Sequence, residues 1–164
     1  MRLIHLPTFW TVVVDCIAWF IIHMGVVAIT IRIPANRFHL NSWLYKNRDW
    51  EREGDLYQEI FKIKKWKKHL PDGAALAGKL GFPKKKLRGR SETYLGAFLI
   101  ETCRAELTHW LIIFFAPFFF LWNPFGIGLF MIFYAAVENL PLVLAQRYNR
   151  YRLRRILVKE GSNF

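Results

Sequence analysis

Five ionisable side chains, Asp15, His23, Glu106, His109 and Glu138, lie inside long apolar runs of this chain. An ionisable group at the centre of a bilayer costs at least a few kcal/mol, so each requires a partner or a chemical purpose. Glu106 and His109 are three residues apart, which on a helix lets their side chains touch. A carboxylate beside an imidazole fixes its tautomer and raises its basicity, as a general base needs in order to deprotonate a hydroxyl. Glu138-Asn139, followed by Pro141, interrupts a second apolar run and serves either helix-to-helix hydrogen bonding or a site. Glu101 and Arg104 repeat the three-residue spacing below Glu106, on a different side. Counted from the ends of their runs, His23, Glu106, His109 and Glu138 fall at a similar depth, and Asp15 lies nearer the opposite face. A Glu-x-x-His pair is also half of a di-metal carboxylate pattern, but no second copy exists and the other histidines are scattered, so no metal is expected.

The elements that must position these groups follow from composition. Of 164 residues 54% are hydrophobic, yet 24 are Lys or Arg against 12 Asp or Glu, a net charge of +12. The two classes are segregated along the chain, which excludes both a disordered chain and an ordinary soluble enzyme. A helix needs roughly 20 apolar residues to cross a hydrocarbon core of about 30 Å. Residues 9–31 meet that length and read as a retained span rather than a signal peptide. Residues 107–122 continue an amphipathic pattern from Tyr94, in a helix starting near Glu92 with Ser91 as its cap, and Pro117 is placed to kink it. Asn123-Pro124, with Gly126 and Gly128, is turn chemistry, so 125–145 completes a helical hairpin. The expected fold is an all-α integral membrane protein, a single membrane domain over 1–164. Its three transmembrane helices span about 9–31, 103–122 and 125–145, with a basic segment over 32–94 and a basic tail over 146–164. Cys16 and Cys103 lack the spacing of a disulfide framework or zinc site and read as buried thiols.

The segment 32–94 holds 16 of the basic residues and the tail six. The excess of positive charge on cytosolic loops makes both cytosolic and leaves the N-terminus outside. Within the first of them, Leu56, Ile60, Ile63 and Trp66 share one face of a helix read over 55–69, with Lys62, Lys64, Lys65 and Lys68 mostly away from it. Such a cytosolic amphipathic helix should lie in the membrane interface. Pro71-Asp72-Gly73 is expected to end it in a turn, before the cluster Lys84-Lys85-Lys86 to Arg90. Nucleic acid is not expected as a partner, because membrane topology already explains the charge.

Arg104-Ala-Glu-Leu-Thr-His-Trp110 and the stretch from Phe133 to Leu153, with its Gln146-Arg-Tyr-Asn-Arg150 run, resemble the glycosyl-diaponeurosporenoate acyltransferase family of staphyloxanthin-type carotenoid biosynthesis. Arg32-Ile-Pro34, Trp66-Lys67 and the Asp72-Gly73 turn extend the similarity over most of the chain. The resemblance implies a small multi-pass enzyme of the bacterial cell membrane. It would transfer a fatty acyl group to a sugar hydroxyl of a carotenoid glycoside or related glycolipid.

Acyl transfer to an alcohol needs a base, stabilisation of an oxyanion and a dry slot for the chain. On chemical grounds His109 is expected as base, oriented by Glu106. Glu138 and Asn139 are expected at the acceptor or oxyanion, and Arg147, Arg150 and Arg104 toward a phosphate or carboxylate of the donor. Phe114, Phe115, Phe118, Phe119 and Phe120 are candidates to line a slot or to face lipid. The donor is an acyl-CoA, an acyl carrier or a phospholipid, the acceptor a glycosylated lipid, and no cofactor is expected. No Gly-x-Ser-x-Gly sequence is present, which favours direct transfer. Another lipid acceptor and a non-catalytic membrane adaptor are the alternatives. A transporter would carry a polar stripe from face to face, and none is visible. Three helices bury little surface between them, which favours self-association or a partner in the pigment or lipid pathway.

Overall fold

A computed structural model of the chain describes residues 3–70 and 91–159. The Asp72-Gly73 turn and the 84–90 cluster lie outside the described residues. Among the latter every element is helical: α1 (Thr8–Arg32), α2 (Asp55–Glu59), α3 (Ile63–Trp66), α4 (Glu92–Phe115) and α5 (Phe125–Lys159), joined in part by 3₁₀ turns. Three helices, Thr8–Arg32, Glu92–Leu121 and Phe125–Lys159, are long and apolar enough to cross a membrane. The chain divides into two compact units, Met1–Arg32 with Leu107–Pro141 and Ile33–Glu106 with Leu142–Phe164.

In the first unit, α1 buries only Asp15, Val26 and Thr30. Phe9, Trp10, Phe20, Ile21 and Ile29 are exposed apolar side chains, as a surface facing lipid would present. Cys16, expected buried, is exposed on this helix. Its position there carries an apolar surface outward, and a thiol is small enough to share that surface. Trp19 stacks on Phe119 with ring centroids 4.6 Å apart. Thr30 and Thr108 hydroxyls meet at 2.8 Å. Where Pro117 was expected to kink a helix, the chain tightens into a 3₁₀ run over Ala116–Leu121 with the proline at its start. That is where a missing N–H does least harm. The turn at Asn123-Pro124 forms as expected, and Asp15 closes it, its Oδ1 accepting from Trp122 Nε1 and Asn123 Nδ2, both at 2.7 Å. Gly128 is required there, because a Cβ would fall 2.3 Å from the Phe120 ring.

In the second unit, Leu95, Phe98 and Leu99 of α4 pack with Leu153 and Leu157 of α5. Ser91 Oγ accepts from the Tyr94 amide at 3.3 Å, capping α4. The helix read over 55–69 is instead three short pieces, α2, α3 and a 3₁₀ turn over Lys67–His69. The break falls at Lys62, whose φ of 49° is left-handed. It turns Ile63 fully inward against Tyr57, Tyr148 and Tyr151, with Trp66 packed on the same cluster, while Ile60 stays 62% exposed. Tertiary packing thus draws two of the four apolar residues into the protein rather than onto one interfacial face. The segment expected as a tail from 146 is helical as well, since α5 runs through Pro141 to Lys159.

Arg52, Glu53 and Gly54 are left-handed in succession, and Gly54, at φ 93°, lies directly over Tyr151. A Cβ at Gly54 would sit 2.8 Å from the Tyr151 Cβ. Gly54→Ala is predicted to lower stability by about 1–3 kcal/mol from backbone strain, with the steric overlap in addition. A thermal unfolding midpoint in detergent micelles equal to that of the wild type would contradict this.

Candidate active site

Within the second unit, α4 supplies Glu106, α5 supplies Arg147, Arg150 and Tyr151, and the 41–60 region supplies Glu51 and Tyr57. Glu106 and Glu51 are buried almost completely. A carboxylate so placed must meet a cation or several donors. Glu106 takes Arg147 Nε on one oxygen and Arg150 Nη2 on the other, both at 2.7 Å. Arg147 reaches on to Glu51 at 2.5 Å and donates to the Leu44 carbonyl at 2.7 Å. Glu51 also accepts from the Tyr57 hydroxyl, from the Tyr151 hydroxyl at 2.5 Å and from the Arg48 amide at 3.2 Å. Two carboxylates therefore balance two guanidinium groups. Burial alone would push the Glu51 carboxyl up, but the hydrogen bonds from Tyr151 and Tyr57 and the charge of Arg147 outweigh it and hold it below its ordinary value. Burial, with the Glu51 carboxylate, pushes the Tyr57 hydroxyl up, so it stays a donor. Arg104 pairs with Glu101 at 2.9 Å, donates to the Ile33 carbonyl at 2.6 Å and lies 4.8 Å over the Phe38 ring.

Within the first unit, two histidines from different helices meet consecutive residues of α5. His109 Nδ1 and Asn139 Oδ1 are 2.8 Å apart. Asn139, 1% exposed, donates its amide nitrogen to the Ala135 carbonyl at 2.9 Å. A carbonyl only accepts, so that bond fixes the amide with its oxygen toward the ring. His109 must then donate from Nδ1, which places the lone pair of the neutral ring on Nε2. That is the tautomer of a general base. His23 is set by the same logic, because Nδ1 lies 2.9 Å from the Trp19 carbonyl and must donate to it. Its Nε2 faces Glu138 Oε1 at 3.5 Å.

Glu106, expected to orient His109, comes together with Arg147 and Arg150, both expected at the donor, and His109 comes together with Asn139. Glu138 meets His23 rather than standing alone at the acceptor position. Among the phenylalanines, Phe119 is fully buried, whereas Phe114 and Phe118 are exposed. Sequence reasoning did not single out Glu51, Tyr57 or Tyr151. The one available signal was an acid set among the bases of the 32–94 segment; its partners on α5, Arg147 and Tyr151, lie 96 and 100 residues away, beyond any local spacing.

Residues 41–159 match the family described as glycosyl-4,4'-diaponeurosporenoate acyltransferase. Proteins of that name from Staphylococcus aureus are similar over most of their length. The relative from strain bovine RF122 / ET3-1 is 31% identical, over 85% of this chain and 83% of its own, and that from strain Newman is 31% identical over 88% of each. The chain belongs to this family. The stretch matched to the acyltransferase family includes Glu51, Glu106, His109, Glu138, Asn139, Arg147 and Arg150, while His23 precedes it. No solved structure matches the chain significantly.

Removing one member of a buried ion pair strands the other charge. Glu106→Ala, which strips both arginines of a partner, is predicted to cost about 3–5 kcal/mol. The measurement is unfolding in detergent; a loss below about 1 kcal/mol, the range of exposed pairs, would contradict the account.

Proposed function

We propose that this acyltransferase moves a fatty acyl group onto a sugar hydroxyl of a glycosylated carotenoid or a closely related glycolipid, with His109 as the base. The supporting observation is the Ala135–Asn139–His109 relay, which presents Nε2 as the basic nitrogen. His109 Nε2 takes the hydroxyl proton as the oxygen attacks the acyl carbonyl carbon. The tetrahedral oxyanion collapses, the bond to the donor's leaving group breaks, and the leaving group receives the proton back from His109. Asn139 is then a positioning residue. Glu138, with His23, binds the acceptor's hydroxyl groups. The Glu106, Arg147 and Arg150 network ties α4 to α5 within the second unit, where Arg104 is held by Glu101.

The reading also takes the chain as a multi-pass protein of the bacterial cell membrane. Its N-terminus is outside, and its basic 32–94 segment and C-terminus are cytosolic, in keeping with the positive-inside bias. An acceptor and a donor that both carry long apolar chains reach such a site by lateral diffusion. The names of the relatives support the reaction class and the acceptor.

Purified protein in nanodiscs, supplied with glycosylated carotenoid and an acyl donor, should yield a product heavier by one acyl group in mass spectra. His109→Gln should lower the turnover number by about 10²–10⁴, the usual contribution of general base catalysis, with helical content unchanged. Asn139→Leu should lose less, because the base remains but its tautomer is released. Undiminished transfer by His109→Gln would reject the base. Absence of acyl transfer by the wild type to any glycolipid would reject the reaction.

A further inference from the structure

The second unit contains a pocket of about 230 Å³, whose lining includes Lys64, Tyr148 and Arg152 together with Glu53, Asp55 and Arg155. Arg155 lies 3.7 Å from Glu53 and 3.0 Å from Asp55, which offsets one of the two acidic charges. The Tyr148 ring carries two cations, Lys67 Nζ at 5.2 Å and the Arg152 guanidinium at 5.9 Å from its centre. Lys67 is aimed by a 2.6 Å bond to the neutral Asn149. Among the described residues no carboxylate pairs with Lys64, Lys67 or Arg152. Burial holds the Lys67 ammonium down at about 8, and the charges of Arg152 and Lys64 push the same way. Three cations kept together against their own repulsion, two of them, Lys64 and Arg152, lining the pocket, form a place that an anion would relieve. The volume is below the roughly 300–1,000 Å³ of sites that enclose a whole drug-sized ligand, so it takes a headgroup rather than an entire donor.

We propose that Lys64, Lys67 and Arg152 around Tyr148 bind a phosphate group, contributed by the acyl donor. The phosphate site stands on these cations alone, and only its link to the donor rests on the acyl-transfer reading. Arg147 and Arg150, which the sequence suggests for this task, are engaged by Glu106 and Glu51. Lys64, Lys67 and Arg152 are cations of the same unit that pair with no carboxylate among the described residues.

The test is calorimetric titration of the full-length protein in phosphatidylcholine nanodiscs with inorganic pyrophosphate, a readout in which no acyl transfer takes part. Saturable binding is expected, weakened roughly tenfold by Arg152→Gln or Lys67→Gln, a change of one charge-assisted contact. Arg152→Lys should keep most of the affinity, and circular dichroism should show each variant folded. Lys65→Gln removes the same charge from an exposed neighbouring position and should change affinity less than about threefold. Repeating the titration in discs containing phosphatidylglycerol separates the sources: competition identifies a lipid headgroup, and unchanged affinity identifies a soluble phosphate-bearing donor. No saturable binding, or equal weakening by Lys65→Gln, would overturn the site.

Discussion

A polar side chain on a helix in hydrocarbon must be satisfied by the protein itself, because no water is there to do it. In this chain α5 does most of that work. It presents Glu138 and Asn139 to histidines of α1 and α4 in one unit, and Arg147, Arg150 and Tyr151 to buried carboxylates in the other. A helix of 35 residues is about 52 Å long. That exceeds the roughly 30 Å of a bilayer core, so the helix is longer than a span needs.

The two sets of polar groups differ in character. The Glu51, Glu106, Arg147 and Arg150 set is charge-balanced and closed upon itself, with the Leu44 carbonyl and two tyrosine hydroxyls taking up further valences. Such a network fixes geometry, since losing any member leaves a buried charge alone. The His109–Asn139 pair is a hydrogen bond that settles which ring nitrogen holds the proton. A low-dielectric surrounding makes both effects stronger than they would be in water.

Much of this was legible in the chain of letters, for reasons specific to each element. The apolar run of α1 and the Asn123-Pro124 turn are local signals, and both lie where the sequence puts them. Glu106, His109, Glu138 and Asn139 stand out because ionisable and amide groups are rare in spans. What the spacing could not convey is partner choice. Glu106 and His109 are three residues apart, yet what each meets depends on what other helices present, here Arg147 and Arg150 to the first and Asn139 to the second. The break at Lys62 was hidden for a related reason. A regular apolar period over 55–69 is consistent with one helix, and only the aromatic cluster of Tyr57, Tyr148 and Tyr151 makes turning Ile63 inward the better arrangement.

The most direct measurement is nitrogen NMR of the protein labelled with ¹⁵N in its histidine rings, in detergent or nanodiscs at neutral pH, with His109 assigned by its loss in His109→Gln. His109 is predicted to hold its proton on Nδ1 and a lone pair on Nε2, and Asn139→Leu to shift the ring toward the opposite tautomer. A wild-type ring protonated on Nε2 alone, or one indifferent to Asn139→Leu, would contradict it.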